Sequence, residues 1–258
     1  MKLAVTGKGG AGKTTIAGTL ARVLARDHKR RVLALDADSN PNLAASLGIA
    51  RDQIAQIAPL PSDLTEWRED ETGKAYVQLR RPLPEVIEAY GVAAQDGARL
   101  LVMGKVEHAG AGCRCSAHAA ARGISRQLMS EADVAVLDME AGLEHLGRGT
   151  VEHVDVLLIV VEPYYRALET ATRIRDLALQ MELPRIVVAA NRIRTPDEQE
   201  AVAQYCRSHD LHLVAAIPFD DAIPEAEQHG LAPIDYAPQS PAVHAIRDLA
   251  GALRSSLS

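Results

Sequence analysis

Short apolar runs alternate along the chain with longer stretches that mix apolar and polar positions at helical spacing. The apolar runs predict β-strands at Leu3–Val5, Val32–Leu35, Leu100–Met103, Val134–Leu137, Val156–Val161, Ile186–Ala189 and Leu213–Ile217. Several are apolar almost throughout, which is typical of strands buried on both faces of a parallel sheet. The stretches between them predict helices at Lys13–Arg26, His118–Met129, Arg166–Met181, Asp197–Ser208 and Ala242 to about Leu253. This alternation predicts an α/β fold, with a doubly wound, mostly parallel sheet flanked by helices.

One segment, from about residue 49 to residue 97, breaks this rhythm. It is rich in proline and charge and contains Trp67, the only tryptophan. We interpret the segment as an insertion in a single domain that spans residues 1–258, placed where it could contact a partner. An ordinary surface excursion is the alternative, and the pattern favours neither.

Composition narrows the class of protein. Apolar residues make up 47% and charged residues 24%, as in an ordinary soluble globular protein. The net charge is −6 and aromatic content is 3%, so a nucleic-acid partner is disfavoured. No apolar run approaches the roughly 18–20 residues of a membrane span, and the first residues read as a strand rather than a signal peptide. Three cysteines make a disulfide framework improbable, so we expect a cytoplasmic protein without a membrane partner.

Between the first strand and the first helix lies the phosphate-binding pattern GxxxxGK[ST]. Its residues are Gly7, Lys8, Gly9, Gly10, Ala11, Gly12, Lys13 and Thr14. Glycines let successive N–H groups turn towards a phosphate, and the following helix adds its positive end. In this pattern the lysine at the end, Lys13, reaches the β- and γ-phosphates, and the hydroxyl of Thr14 binds Mg²⁺. The loop predicts a site for ATP or ADP with Mg²⁺.

Carboxylates follow two of the predicted strands. Asp138 ends an apolar strand. This pattern is weak alone, but an aspartate in this position downstream of a phosphate loop holds Mg²⁺. Asp36 and Asp38 follow Val32–Leu35, and the carboxyl end of a parallel strand beside a phosphate loop faces the ligand crevice. Either of these two carboxylates could instead cap the next turn.

Cys113 and Cys115 form a close pair of thiols. Thiolates suit Zn²⁺, Ni²⁺ or Cu(I), but two cannot complete a tetrahedral site. A two-fold dimer can, because each chain presents the same patch to the axis. A small-residue turn with reduced thiols and a redox pair are the alternatives. His108 and His118 are candidate auxiliary ligands, although solvated histidines explain both more simply. The third cysteine, Cys206, fits a buried helical position.

The string of residues 7–15, including Thr15, resembles the deviant Walker A family, which contains MinD, ParA, the arsenite and tail-anchored-protein ATPases and the nitrogenase iron protein. The resemblance implies a P-loop NTPase fold of the SIMIBI type and ATP hydrolysis. It implies that Lys8 reaches across a dimer to the partner's nucleotide, and that Asp38 positions the attacking water. It also implies that Asp36 supports Mg²⁺ through water. It implies further that Asn191 and Arg192 belong to the nucleotide site and that Asn191 contacts adenine. From the residues alone, a turn-forming asparagine is equally plausible.

Four longer stretches resemble the CooC-type carbon monoxide dehydrogenase maturation ATPase. They are MGKVE at 103–107, GCRC at 112–115, DMEAGLEHLGRGT at 138–150 and VVEP at 160–163. This resemblance implies an ATP-dependent homodimer that binds Ni²⁺ or Zn²⁺ at its interface through Cys113 and Cys115. It also implies that the dimer helps to insert nickel into carbon monoxide dehydrogenase. Residues 62–75 depart from the pattern. The alternative function is a positioning or partitioning switch like MinD or ParA.

Overall fold

A single large sheet organises the chain. The structure, a computed structural model, describes residues 1–28, 32–38, 40–61, 64–69, 73, 75–103, 127, 132–139 and 154–255. The strands are β1 (Lys2–Gly7), β2 (Val32–Asp36), β3 (Thr65–Glu69), β4 (Ala75–Leu79), β5 (Val92–Ala93), β6 (Ala98–Val102), β7 (Val134–Asp138), β8 (Val156–Val161), β9 (Ile186–Ile193) and β10 (Leu213–Pro218). Eight of them form one sheet in the order β10-β9-β8-β1-β7-β2-β6-β5. Its described pairs are parallel except for β5 against β6, and β3 and β4 form a separate antiparallel pair.

Helices cover both faces of this sheet. They are α1 (Lys13–His28), α2 (Leu43–Ser46), α3 (Arg51–Ile54), α4 (Leu83–Tyr90), α5 (Tyr165–Gln180), α6 (Pro196–Ser208), α7 (Ala222–His229), α8 (Pro233–Tyr236) and α9 (Pro241–Ser255). One core lies between the sheet and helices α1 and α9, and the other between the sheet and helices α5 and α6. No described helix is long and apolar enough to cross a membrane.

Strand β8 shows why the central strands are apolar throughout. All six of its residues are buried. Leu158 and Val160 enter the core beneath α1, while Leu157 and Ile159 enter the core on the opposite face. Because side chains alternate across a strand, only an uninterrupted apolar run can serve both cores.

The predicted fold class and strands are confirmed, and most predicted ends of elements differ from the observed ones by one or two residues. Helix α1 continues to His28, two residues beyond its predicted end. Strand β9 continues past Ala189 to Ile193, so Asn191 and Arg192 lie inside the strand rather than after it. The helix predicted at 118–129 falls outside the described residues except for Gln127, which is helical.

Residues 49–97 contribute to the same sheet and core. Leu60 donates its N–H to the carbonyl of Val102 at the end of β6, at 2.8 Å. Leu64, Leu79 and Val86 are buried in the core that α5 and α6 cover. Strand β5 pairs with β6 at the edge of the large sheet. The reading of this segment as an insertion that contacts a partner stays a prediction.

Candidate nucleotide site

The phosphate loop begins where β1 leaves the sheet. Gly7 has φ 144°, and a β-carbon there would lie 2.3 Å from the carbonyl oxygen of Val160 on β8. A side chain therefore cannot be accommodated at this position. Gly9 and Gly10 are exposed at the crest of the loop. The N–H of Ala11 donates to the carbonyl of Lys8 at 3.3 Å, which closes the turn before α1 begins.

The two lysines of the loop have different surroundings. Lys13 is only 7% exposed, and its Nζ lies 3.3 Å from the carbonyl oxygen of Lys8, across the loop. An ammonium group can donate three hydrogen bonds, so Lys13 has donors to offer phosphate oxygens at the start of α1. Lys8 itself is exposed. Thr15 is half-buried in the first turn of α1.

Asp138 lies beside the loop at the end of β7. It is in register with Val5 of β1 on one side and Asp36 of β2 on the other, and it is 1% exposed. Burial raises its pKa to about 7, against a hydrogen bond from the Thr14 side chain that lowers it. The negative charge of Asp36 raises the pKa further and the positive charge of Lys13 lowers it.

The Asp138–Thr14 pair provides suitable ligands for Mg²⁺. The Oδ1 atom of Asp138 is buried and has no hydrogen-bond partner among the described residues. Such an orphaned carboxylate oxygen is costly in a folded protein unless a ligand satisfies it. Mg²⁺ prefers oxygen ligands and usually keeps several waters, with one or two protein groups and substrate phosphates completing its shell. The side chains present therefore fit the predicted metal.

Asp36 has a different task from Asp138. Its side chain is fully buried. Its Oδ1 accepts the N–H of Asp38 at 3.1 Å, and its Oδ2 accepts the N–H of Leu43 at 2.9 Å. Burial raises its pKa, although these N–H donors oppose the shift. Asp36 therefore caps the loop that follows β2, and its support of Mg²⁺ through water stays a prediction.

Asp38 lies on the loop that Asp36 holds. It is half-buried, and its Oδ1 accepts the N–H of Asn40 at 2.8 Å. Its charge raises the pKa of Asp138, so the two carboxylates share one site. The role of Asp38 in positioning water stays a prediction.

Asn191 reaches the phosphate loop from β9, whereas its neighbour Arg192 contacts Glu162. The Asn191 Nδ2 donates to the carbonyl of Ala11 at 2.8 Å, within the phosphate loop. Arg192 has φ 60° and pairs with Glu162 at 2.8 Å. Sequence reasoning missed both contacts. The only feature of the sequence that could have indicated them is that Asn191 and Glu162 each follow an apolar run, and the carboxyl ends of these two strands lie on the same side of the sheet. The predicted adenine contact is untested.

The residues of the predicted thiol site are not among those that the structure describes. Cys113 and Cys115, with His108 and His118, fall outside the described residues. In the part of the chain that is described, no cluster of three or more His, Cys, Asp or Glu side chains could hold a metal ion. Cys206 is a buried free thiol, as predicted, and burial raises its pKa.

This arrangement defines a P-loop nucleotide-binding protein. The sequence matches the CobQ/CobB/MinD/ParA nucleotide binding domain over residues 2–234, and the chain belongs to this family. Its fold is similar to that of the MinD cell division protein of Aquifex aeolicus, with a TM-score of 0.70 and 24% identity over 98% of this chain and 96% of that one.

Two relatives narrow the assignment. The chain is 40% identical over 262 residues to the carbon monoxide dehydrogenase accessory protein CooC of Rhodospirillum rubrum, covering all of this chain and 96% of that protein. It is 36% identical over 233 residues to an uncharacterized ATP-binding protein of Methanocaldococcus jannaschii, with 88% of each chain covered. The protein is therefore a CooC-type ATPase of the MinD/ParA class.

Proposed function

We propose that this ATPase is a dimeric accessory protein that binds a metal ion and helps to insert nickel into carbon monoxide dehydrogenase. The observation that carries the proposal is the 40% identity to CooC over the whole chain. The Cys113–Cys115 pair supports it, because thiolates are suitable ligands for the cargo. The ATPase works in the cytoplasm, with neither nucleic acid nor membrane as partner.

ATP hydrolysis uses the residues around the phosphate loop. The loop N–H groups and Lys13 bind the β- and γ-phosphates, while Thr14 and Asp138 hold Mg²⁺. When bound, Mg²⁺ neutralises charge that develops on the phosphate oxygens. Asp38 orients the water for in-line attack, and Asp36 keeps Asp38 in place through its backbone hydrogen bond.

The contrast between Lys8 and Lys13 supports the proposed dimer. Lys13 is buried against its own loop, whereas Lys8 is exposed at the same loop. Lys8 is thus available to the nucleotide of a second subunit. ATP joins the subunits through this contact, and hydrolysis releases it.

The metal site forms between the two subunits. Two thiolates from each chain, Cys113 and Cys115, give four sulfur ligands in a tetrahedral set that accepts Ni²⁺ or Zn²⁺. Nickel is the cargo, and zinc is the competitor that the same ligands also bind. Closing and opening of the dimer by ATP changes the distance between the two pairs, which couples hydrolysis to metal release.

Metal analysis of the purified dimer tests this site. We expect one Ni²⁺ or Zn²⁺ per two chains in the unaltered protein, and loss of the metal in Cys113→Ala and Cys115→Ala. Cys206→Ala is the matched control, because it removes a buried thiol from α6 and should leave the metal in place. Metal that persists after both Cys113 and Cys115 are replaced would contradict the proposal.

Activation of the client tests the function as a whole. Nickel-free carbon monoxide dehydrogenase should gain activity when it is incubated with Ni²⁺, ATP and this protein, and gain much less with the Cys113→Ala variant. Co-sedimentation with liposomes and with DNA tests the MinD/ParA-like alternative. Binding to either, together with no effect on the dehydrogenase, would favour the positioning switch.

A further inference from the structure

A β-bulge lies beside the phosphate loop, at the end of β9. Ala190 pairs with Ala216 of β10, and Ile193 pairs with Pro218. Two residues of β9, Asn191 and Arg192, therefore oppose one residue of β10. Arg192 has φ 60°, a conformation that side chains other than glycine seldom adopt. Bulges next to active sites re-aim side chains, and this one directs Asn191 to the loop.

The amide of Asn191 is fixed against the loop in two ways. Its Nδ2 donates to the carbonyl of Ala11 at 2.8 Å, and the residue is 9% exposed. A β-carbon on Gly12 would lie only 2.4 Å from the same Nδ2 atom. Gly12 also has φ 90°, so a side chain there would be strained as well as obstructed. The amide thus occupies space that is open only because residue 12 is glycine.

This contact determines the direction of one loop N–H. The carbonyl of Ala11 and the N–H of Gly12 belong to the same planar trans peptide unit, so they point in opposite directions. When Asn191 holds the carbonyl on the β9 side, the Gly12 N–H must point away from β9. A loop that binds phosphate through N–H groups depends on such orientation before the ligand arrives.

We propose that Asn191 is a positioning residue of the phosphate loop, which prepares the Gly12 N–H for phosphate independently of any contact with the base. A residue that only recognised adenine would affect the binding of nucleotides and no other ligand. A residue that orients the loop also affects a phosphate chain that has no base or sugar. The two roles are therefore separable by the choice of ligand.

Calorimetry with Mg²⁺ and inorganic tripolyphosphate, compared with Mg²⁺ and ATP, tests the proposal. In Asn191→Ala we expect the affinity for tripolyphosphate to fall roughly tenfold, the scale of one lost hydrogen bond. The affinity for ATP should fall by at least the same factor. Unchanged tripolyphosphate affinity in a folded variant overturns the proposal, whether or not ATP binding is weakened.

Thr195→Ala is the matched control for general loss of stability. Thr195 lies four residues after Asn191, and its hydroxyl accepts the N–H of Glu198 at 3.2 Å to cap α6. Its loss should lower the melting temperature without changing the affinity for tripolyphosphate. If Thr195→Ala weakens tripolyphosphate binding as much as Asn191→Ala does, the effect belongs to stability and the proposal fails.

Amide hydrogen exchange gives a second readout, without ligand. The amide of Ala11, which donates to the carbonyl of Lys8, should exchange faster in Asn191→Ala than in the unaltered protein, while the amides of the central strands stay protected. Asn191→Asp keeps the shape of the side chain but replaces the donor with an acceptor. This variant replaces Asn191→Ala in the exchange experiment if Asn191→Ala does not fold. Unchanged exchange of the Ala11 amide in a folded Asn191→Asp variant contradicts the proposal.

Discussion

At the scale of single residues, the site brings together carboxylates that have separate tasks. Asp36 and Asp138 are in register on neighbouring strands and both are buried. Asp36 uses its two oxygens to accept backbone N–H groups. Asp138 has one oxygen towards Thr14 and another without a partner among the described residues. The difference in hydrogen bonding, rather than in position, makes Asp138 the better metal ligand.

The raised pKa of Asp138 predicts how pH affects the protein without ligand. Its pKa of about 7 in the folded state lies above the ordinary value of 3.8. The folded state therefore binds the proton more tightly, and the stability from this group is present at low pH and lost as pH rises through about 7. Between about pH 5 and pH 8, the free energy of unfolding should fall by about 3 kcal/mol. Urea unfolding at both pH values measures it.

Two variants of this experiment identify the cause. Asp138→Asn removes the titrating group, so this variant should lack most of the pH-dependent loss in the free energy of unfolding. Mg²⁺ with ADP should restore stability at the higher pH, because the metal ion stabilises the ionised carboxylate. A pH dependence in Asp138→Asn that equals that of the unaltered protein would assign the effect to another group, such as Asp36.

At the scale of elements, α1 is held at its interior by a buried arginine that pairs with two partly exposed carboxylates. Arg22 has no exposed surface. It donates to Asp96 in the turn at 95–97 at 2.8 Å, and to the Oδ1 of Asp235 on α8 at 2.8 Å. A buried guanidinium must be paired, because an uncompensated charge in the interior is costly. The network thereby ties the helix that begins at the phosphate loop to two distant segments.

Removal of one carboxylate partner of Arg22 should lower the free energy of unfolding. In Asp235→Ala, Arg22 keeps Asp96 but loses a bidentate partner, and we expect a loss of about 2 kcal/mol in the free energy of unfolding. Glu169→Ala is the control, since Glu169 and Arg173 form an exposed pair on α5. That change should cost less than about 0.5 kcal/mol. Urea unfolding of both variants at one pH measures the contrast, and equal losses would contradict the argument.

The same elements show how far sequence reasoning reaches. Strands such as β8 were predictable because their pattern is local, and the phosphate loop because its residues are consecutive. Arg22 was not recognisable as buried, since its partners are 74 and 213 residues away. The bond from Asn191 to Ala11 spans 180 residues. For Asp36, the capping contacts depend on the backbone path of the next loop, which the sequence pattern does not specify.

At the scale of the whole molecule, the exposed edge of the phosphate loop connects the ATP site to a second subunit in the proposed dimer. Lys8 and Lys13 lie on one loop, but only Lys13 is buried against it. Replacing Lys13 should weaken nucleotide binding within a single chain. Replacing Lys8 should leave that binding intact and prevent the contact between subunits. The pair therefore offers a test of whether the ATP site is completed by a partner.

We expect Lys8→Ala to bind Mg²⁺ and ATP with an affinity within about threefold of the unaltered protein, because Lys8 is exposed rather than buried in its own loop. It should fail to dimerise with ATP and should lose at least about a hundredfold in turnover, since a cation that stabilises transferred charge is absent. Lys13→Ala should lose nucleotide affinity itself. Three measurements distinguish the two variants. Calorimetry measures nucleotide affinity, analytical ultracentrifugation with a non-hydrolysable ATP analogue measures dimerisation, and phosphate release measures turnover. A monomeric Lys8→Ala variant with full turnover would show that each chain hydrolyses ATP alone, and the coupling of ATP to metal transfer through the dimer would then have to be abandoned.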